Sequence, residues 1–179
     1  MVDFDNLEDS IAEVYQHYYL DVYRFLVCFS GNQNDAEDLT QEVFIRVLNQ
    51  LSMFRKGKNM KTWILSIAKH VAVDHYRRKK FISIFKEGFF LQLASKEKAP
   101  DELFEMKELK DHVNEAISRL KPNFRAVIIL RAINEYSIKE TAEILQCSES
   151  KIKVTYHRAL KELQKKIHLY AEEVIRNAN

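Results

Sequence analysis

The residues of this chain best suited to chemistry are cations placed at helical spacing near its carboxyl end. The cations are Lys151, Lys153, Arg158 and Lys161, and Val154 and His157 lie among them. Lysine and arginine can donate hydrogen bonds to guanine edges or hold phosphates, and a valine can contact a thymine methyl group. We assign base reading to Lys153 and Arg158, and phosphate contacts to Lys151 and Lys161. The chemistry that this pattern predicts is recognition of duplex DNA.

These cations need a rigid helix, and the surrounding sequence predicts a pair of helices joined by a tight turn. Ser137 and Glu140 have the spacing of a capping box, which starts the first helix. Gln146 interrupts the apolar pattern, and Ser148 is a suitable N-cap for the second helix. The segment from Tyr136 to Leu163 therefore predicts a helix-turn-helix whose second helix enters a DNA major groove.

A second group of cations lies in the first half of the chain, beside aromatic side chains. The loop from Met53 to Lys61 is basic around one glycine, which suits phosphate contacts, although an ordinary solvated loop has the same composition. The helix predicted from about Lys61 to Lys80 adds Trp63 and Tyr76 to further cations. Cations that follow a backbone, beside aromatic rings on which bases stack, are what binding of a single strand requires.

Neither metal nor catalytic chemistry is predicted. His70 and His75 are five positions apart, do not share a helical face and have no strong third ligand. Cys28 and Cys147 match no metal or redox spacing and are typical of a protein from a reducing cytosol. Gly-rich phosphate loops and nucleophile elbows are also missing. We therefore expect no cofactor and no enzyme.

An acidic helix precedes the basic segment. Asn34 is a suitable N-cap, and carboxylates follow in the first turn, where the helix dipole favours negative charge. No lysine or arginine occurs from Phe25 to Ile45. Two interpretations remain open, a solvated and well-capped helix or an acidic docking face for a basic protein surface. The residues of this acidic face are Asp35, Asp38, Gln41 and Glu42.

The composition predicts an all-α fold. Among 179 residues there are only three glycines and two prolines, and hairpin turn signals are nearly absent. The formal net charge of +2 is almost balanced, so basic character matters only where it is clustered. We expect two small helical domains, at 1–80 and 105–179, joined by a linker at 81–104 where the periodicity fails. The acidic first residues do not resemble a signal peptide, and no apolar run is long enough to span a membrane.

Two separate stretches resemble bacterial sigma factors. D-A-E-D-L-T-Q-E-V-F-I-R-V-L, followed by F-R-K-G-K-N-M-K-T-W-I-L-S-I-A-K-H-V-A-V-D-H-Y-R-R-K-K, is similar to their core domain. L-K-P-N-F-R-A-V-I-I-L-R, together with the helix-turn-helix, is similar to their C-terminal domain. Two such domains joined by a linker are the pattern of the extracytoplasmic-function (ECF) class of the sigma-70 superfamily. The resemblance implies a protein that binds core RNA polymerase and directs promoter-specific transcription initiation.

The resemblance also implies a role for each group of residues. The acidic face would bind the clamp helices of the largest polymerase subunit, and the polymerase flap would be a further contact. The −35 promoter element would be read by the cations of the helix-turn-helix. At the −10 element a flipped base and the displaced strand would be bound by a third group of residues. These are Arg55, Lys56, Lys58, Asn59, Lys61, Trp63, His70, Arg77 and Arg78.

Family members are commonly held by an anti-sigma protein, often membrane-bound, and the apolar segment from Phe81 to Leu93 is a candidate surface for such a partner. This chain departs from the family pattern at His70, where Asn is frequent, at Ser150, where Gly is frequent, and at Val154, where a polar residue is frequent. These departures affect which promoter sequence is recognised, and they leave the resemblance to the family unchanged.

The alternative is a one-component repressor or activator with a C-terminal helix-turn-helix. Such a protein would dimerise on a palindromic site, whereas a sigma factor would be a monomer when free and act on two asymmetric elements. The basic, aromatic helix of the first domain favours the sigma factor, because a sensor domain has no need of one.

Overall fold

The computed structural model describes residues 7–54, 57–86 and 112–177, and within these ranges the chain forms helices and turns without a strand. The predicted all-α fold is confirmed. The helices are α1 (Leu7–Ser30), α2 (Gln33–Gln50), α3 (Met60–Lys86), α4 (112–118), α5 (Pro122–Ile128), α6 (Ile138–Leu145) and α7 (Glu149–Asn177). A 3₁₀ turn at Leu51–Met53 follows α2, and a π-helical segment at Ile129–Ile133 follows α5.

The junction of α1 and α2 is tighter than the sequence indicated. Gly31, at a φ of 71°, ends α1, and its N–H donates to Val27 O at 3.0 Å. The N-cap of α2 is Asn32, whose Oδ1 accepts from Asp35 N at 2.9 Å. The prediction of Asn34 as N-cap is wrong, because the glycine turn leaves room for a single extended residue before α2 begins.

α3 continues to Lys86, beyond the expected boundary at residue 80. Residues 81–86 contain neither Gly nor Pro, so nothing in the local sequence stops the helix there. Residues 87–111 lie outside the described residues. They include most of the expected linker and most of the segment from Phe81 to Leu93.

In the first domain α1, α2 and α3 pack on one another. The fully buried side chains include Phe25 and Leu26 of α1, Val43 of α2, and Ile64 and Val71 of α3. These residues recur at helical spacing, so each helix directs one apolar stripe inwards. Burial of this kind stabilises a domain by about 25 cal/mol for each Å² of apolar surface removed from water.

The second domain contains the predicted helix-turn-helix. Ser137 and Glu140 form the capping box in both directions, with N···O distances of 2.8 and 3.1 Å. Gln146 ends α6 in the left-handed conformation at a φ of 54°. Ser148 Oγ then accepts from Lys151 N at the start of α7. The local signals for these two helices are confirmed, and Ala142 of α6 and Ile152 of α7 share one apolar cluster.

The two domains are packed together rather than held apart. α6 lies against α3, and the π-helical segment lies against α1. As a result, one continuous apolar core runs from Val14 in the first domain to Ala159 in the second. Of the helices described, none combines the length and the apolar character needed to cross a membrane.

Candidate nucleic-acid interface

One face of α7 presents all the cations assigned to duplex recognition. Lys151, Lys153, Val154, His157, Arg158 and Lys161 are all exposed. The opposite face is anchored by Ile152 and Ala159, which are 1% and 0% exposed. Arg131 further fixes this helix through its guanidinium, 5.7 Å from the centre of the Tyr156 ring. The result is a rigid helix with a basic, outward-facing surface.

The loop before α3 also caps the first turn of that helix. Lys58 and Asn59 are exposed, while Arg55 and Lys56 lie outside the described residues. Asn59 Oδ1 accepts from Thr62 N at 3.2 Å, so Asn59 caps the first turn of α3. The sequence indicated a ligand contact here, and the structure adds a capping role.

Trp63 lies at the edge of a cavity of about 650 Å³ between the two domains. Its ring packs on Phe54 with centroids 4.9 Å apart, which leaves it half-buried. Lys58 and Asn59 line the same cavity on the side of the first domain. Glu140 and other residues of α6 form the opposite wall. The sequence predicts only the basic and aromatic residues on the first-domain side of this cavity.

Lys61 connects three elements in the first turn of α3. Its Nζ lies 2.9 Å from Asp21 Oδ2 of α1 and 5.1 Å from the centre of the Tyr136 ring. Burial lowers the pKa of Lys61, but hydrogen bonds and charges from Asp21 and Tyr136 outweigh it and hold the pKa above its ordinary value. Burial likewise raises the pKa of the Tyr136 phenol. Both groups therefore keep their protons at neutral pH.

His70 and the cations that follow it extend the basic face of α3. His70 Nδ1 lies 2.7 Å from Ser66 O. A carbonyl oxygen only accepts, so Nδ1 donates its proton in this contact. Arg77 and Arg78 are exposed beyond it. An asparagine at position 70 would offer both a donor and an acceptor, so His70 changes the hydrogen bonding that α3 can provide.

The acidic face of α2 lies beside these cations. Asp35 pairs with Lys79 at 2.9 Å, and Glu42 lies 3.7 Å from Arg78. Glu42 also pairs with Arg46 at 2.6 Å. Exposed pairs of this kind contribute only about 0–1 kcal/mol each, so the carboxylates and cations remain available to partners. Asp38 and Gln41 are exposed on the same helix.

Arg125 is a buried residue to which sequence reasoning assigned no role. It lies within the apolar segment N-F-R-A-V-I-I-L and is 4% exposed. Its Nη1 donates to Phe29 O at 2.9 Å, and its guanidinium lies 4.9 Å from the centre of the Tyr76 ring. Burial lowers its pKa, although interactions with Tyr76 oppose that effect. A lone cation in an apolar run was the signal that could have identified this interdomain contact.

Comparison with known proteins matches each half of the chain to a protein family. Sigma-70 region 2 covers residues 14–82, and Sigma-70, region 4 covers residues 110–163. The ECF RNA polymerase sigma factor SigX of Bacillus subtilis (strain 168) is 41% identical over 94% of this chain and 89% of that protein. The RNA polymerase sigma factor YlaC of the same strain is 33% identical over 92% of this chain and 96% of that protein.

Solved structures share the fold. The sigma factor RpoE, in complex with the anti-sigma factor NepR from Bartonella quintana, superposes with a TM-score of 0.66 at 21% identity, covering 88% of this chain and 96% of that one. CnrH, in complex with the cytosolic domain of CnrY, gives a TM-score of 0.67 at 18% identity, covering 92% and 91%.

Two helical domains, the second carrying an exposed helix-turn-helix, define a protein that acts on DNA in transcription. The chain belongs to the extracytoplasmic-function sigma factors of the sigma-70 family. It is therefore an RNA polymerase sigma factor, which binds core RNA polymerase and promoter DNA in transcription initiation, and its family does not consist of enzymes. The repressor or activator alternative is not favoured.

Proposed function

We propose that the two domains divide promoter recognition between them, with α7 reading the −35 element. The observation that carries this proposal is the exposure of all the assigned α7 residues on a helix whose opposite face is buried. Lys153 and Arg158 donate to base edges, and Val154, which is 50% exposed, contacts a thymine methyl group. Lys151, His157 and Lys161 complete the surface.

The first domain holds the opened −10 element. Lys58 and Trp63 lie together on the first-domain wall of the cavity, and His70, Arg77 and Arg78 follow along α3. Unstacking a base costs a few kcal/mol, which contacts with these aromatic and cationic side chains can offset. Arg55, Lys56, Asn59 and Lys61 belong to the same proposed surface.

The acidic face of α2 docks on the clamp helices of the polymerase, and the flap is the second polymerase contact. Support comes from the exposure of Asp38 and Gln41, with Asp35 and Glu42 beside them. Polymerisation chemistry belongs to the polymerase, and this chain contributes no catalytic group, metal or cofactor. The protein acts in the cytoplasm as a monomer when free. Because solved relatives include sigma factors bound to anti-sigma factors, we extend a partner of that kind to this chain.

In vitro transcription with core polymerase tests this proposal. Start sites mapped on genomic fragments should lie downstream of a shared pair of asymmetric elements, and omission of the chain should abolish them. Start sites that do not depend on the chain would contradict the proposed function. The matched variants described in the Discussion then assign each surface.

A further inference from the structure

The second domain lies over the surface proposed for the −10 strand. The cavity between the domains is lined on the first-domain side by Lys58, Asn59 and Trp63, and on the α6 side by Glu140, Glu143, Gln146 and a single cation, Lys139. Hydrogen bonds from Ser137 lower the pKa of Glu140, and the charge of Lys61 adds a smaller effect, which places that carboxylate within the field of the −10 cations. A nucleic-acid strand entering this cavity meets carboxylates, and like charges oppose its phosphates.

Three residues hold this arrangement across the domain boundary. Lys61 Nζ is 2.9 Å from Asp21 Oδ2, and it lies over the Tyr136 ring at 5.1 Å from the centre. Tyr136 Oη lies 3.5 Å from the other carboxylate oxygen of Asp21. Tyr136 is only 7% exposed, and Arg131 donates to its carbonyl oxygen. A cation over an aromatic ring, when desolvated, adds to the strength of its ion pair.

This packing is incompatible with simultaneous contact to both promoter elements. Elements named for positions −35 and −10 lie about 25 base pairs apart, or roughly 85 Å of duplex at 3.4 Å per pair. Packed helices lie about 8–10 Å apart, so α7, which packs on α6, approaches within roughly 20 Å of α3. The domains must therefore separate before the two surfaces can bind one promoter.

We propose that Asp21, Lys61 and Tyr136 form a latch that keeps α6 over the −10 surface of the free chain. The proposal rests on the proposed function, because it takes Lys61 as a −10 contact. In the closed state the Lys61 ammonium is bound to Asp21 and lies against Tyr136. In the open state the ammonium loses its contact with Tyr136, and its partly exposed pairing with Asp21, which lies in the same domain, can be exchanged for a phosphate. Weakening the latch raises the population of the open state and leaves the DNA contacts intact.

The native fluorescence of the chain measures this opening. Trp63 is the single tryptophan and lines the covered cavity. We compare Asp21→Asn, which removes the latch charge and keeps the side-chain shape, with Glu13→Gln, an exposed acidic residue of the same helix. Acrylamide, a neutral quencher, is used because its approach does not depend on the charge removed. Asp21→Asn should raise the quenching constant of the free chain, and Glu13→Gln should leave it unchanged.

The open state should also bind single-stranded DNA more tightly. For a fluorescent oligonucleotide we expect Asp21→Asn to bind about two- to fivefold more tightly than Glu13→Gln, the range for losing one partly exposed charge pair. Equal quenching constants in the two variants overturn the latch. Tighter DNA binding with unchanged quenching also overturns it, because it shows a charge effect without opening. Transcription with core polymerase separates the two ideas: start sites that depend on the chain support the proposed function even where the latch fails.

Discussion

At the scale of single residues, the positions with the largest physical consequences are those with more than one partner. Arg125 is a buried cation that satisfies carbonyl oxygens of both domains, Phe29 O at 2.9 Å and Leu120 O at 3.3 Å. Its guanidinium lies 5.1 Å from the centre of the Phe29 ring and 4.9 Å from that of the Tyr76 ring, which offsets part of the cost of removing a charge from water. Arg158, in contrast, is exposed on α7, so we expect it to contribute to DNA binding rather than to stability.

Arg125→Ala should lower the free energy of unfolding by about 2–5 kcal/mol, the usual cost of a large-to-small change in a core, because it opens a cavity and leaves Phe29 O unpaired. Arg125→Met, which keeps most of the volume, should cost about 1–3 kcal/mol through the lost hydrogen bonds. Urea unfolding measures both. Arg24→Ala, at an exposed position, is the control, and equal losses for Arg24 and Arg125 would contradict the assigned role.

Arg158→Ala should cost about 1–3 kcal/mol of promoter binding and relax specificity at one base pair of the −35 element. The reason is that a guanidinium distinguishes guanine through two acceptors in the major groove. Transcription from a set of −35 variants measures the effect. Lys161→Ala, at a phosphate contact, should instead weaken all variants equally. A uniform loss with Arg158→Ala would reassign that residue to the phosphate backbone.

At the scale of elements, each helix terminus and face has a separable function. The capping box starts α6, and the hydrogen bonds of Ser137 lower the pKa of Glu140, with a further contribution from the charge of Lys61 and against the effect of burial. The carboxylates at the start of α2 lie where the helix dipole favours them. Both features act locally, so point variants can test them without disturbing the core.

The capping box should make stability depend on pH in acid. Because folding lowers the pKa of Glu140 below 4.5, its ordinary value, the stabilisation is complete above that pH and is lost as the pH falls through the lowered value. Unfolding of the wild type and of Glu140→Gln should therefore differ near neutral pH and converge in acid. Glu143→Gln controls for loss of a charge on α6. A difference that does not change with pH would contradict this explanation.

The acidic face of α2 can be tested by a single charge reversal. Asp38→Lys should weaken binding to core polymerase roughly tenfold or more, since like charges placed across an interface cost several kcal/mol. Asp38 is preferable to Glu42, whose replacement would also break the contacts with Arg46 and Arg78. Glu13→Lys, the same charge reversal at an exposed position of α1, is the matched control. Co-purification measures binding, and equal recovery of both variants would contradict the docking assignment.

At the scale of the whole molecule, the arrangement of the two domains decides what the free chain can bind. The continuous core and the contact between α3 and α6 place the two proposed DNA surfaces on neighbouring helices. A promoter presents its two elements far apart along the duplex. We therefore expect the free chain to offer one surface at a time, and the polymerase to supply the arrangement in which both act.

Gel-shift measurements should show weak promoter binding by the free chain and tight, specific binding only with core polymerase. The physical reason is that a single exposed surface lacks the second set of contacts. A DNA fragment with both elements scrambled is the control. Tight and specific binding by the chain alone would contradict this expectation.

Local sequence was sufficient to predict the helices and the exposed, mostly basic residues of α7. Ser137 and Glu140 interact within one helical turn, and apolar periodicity depends on neighbours three or four positions apart. These signals act over short distances, so they can be recognised before the chain is folded. The length of α3 and the N-cap of α2 were not predicted correctly. Helix-breaking and turn residues show where a helix can end, but they do not fix the residue at which it ends.

Only the tertiary structure decided which groups meet. Asp35 and Lys79 are 44 positions apart, and Asp21 and Tyr136 are 115 positions apart. No periodic pattern relates such pairs, since their proximity follows from how whole helices pack. The sequence by itself predicted an exposed basic helix in the helix-turn-helix and a basic, aromatic helix in the first domain. The folded chain decided that α6 covers that second helix and that Lys61 lies in the contact between them.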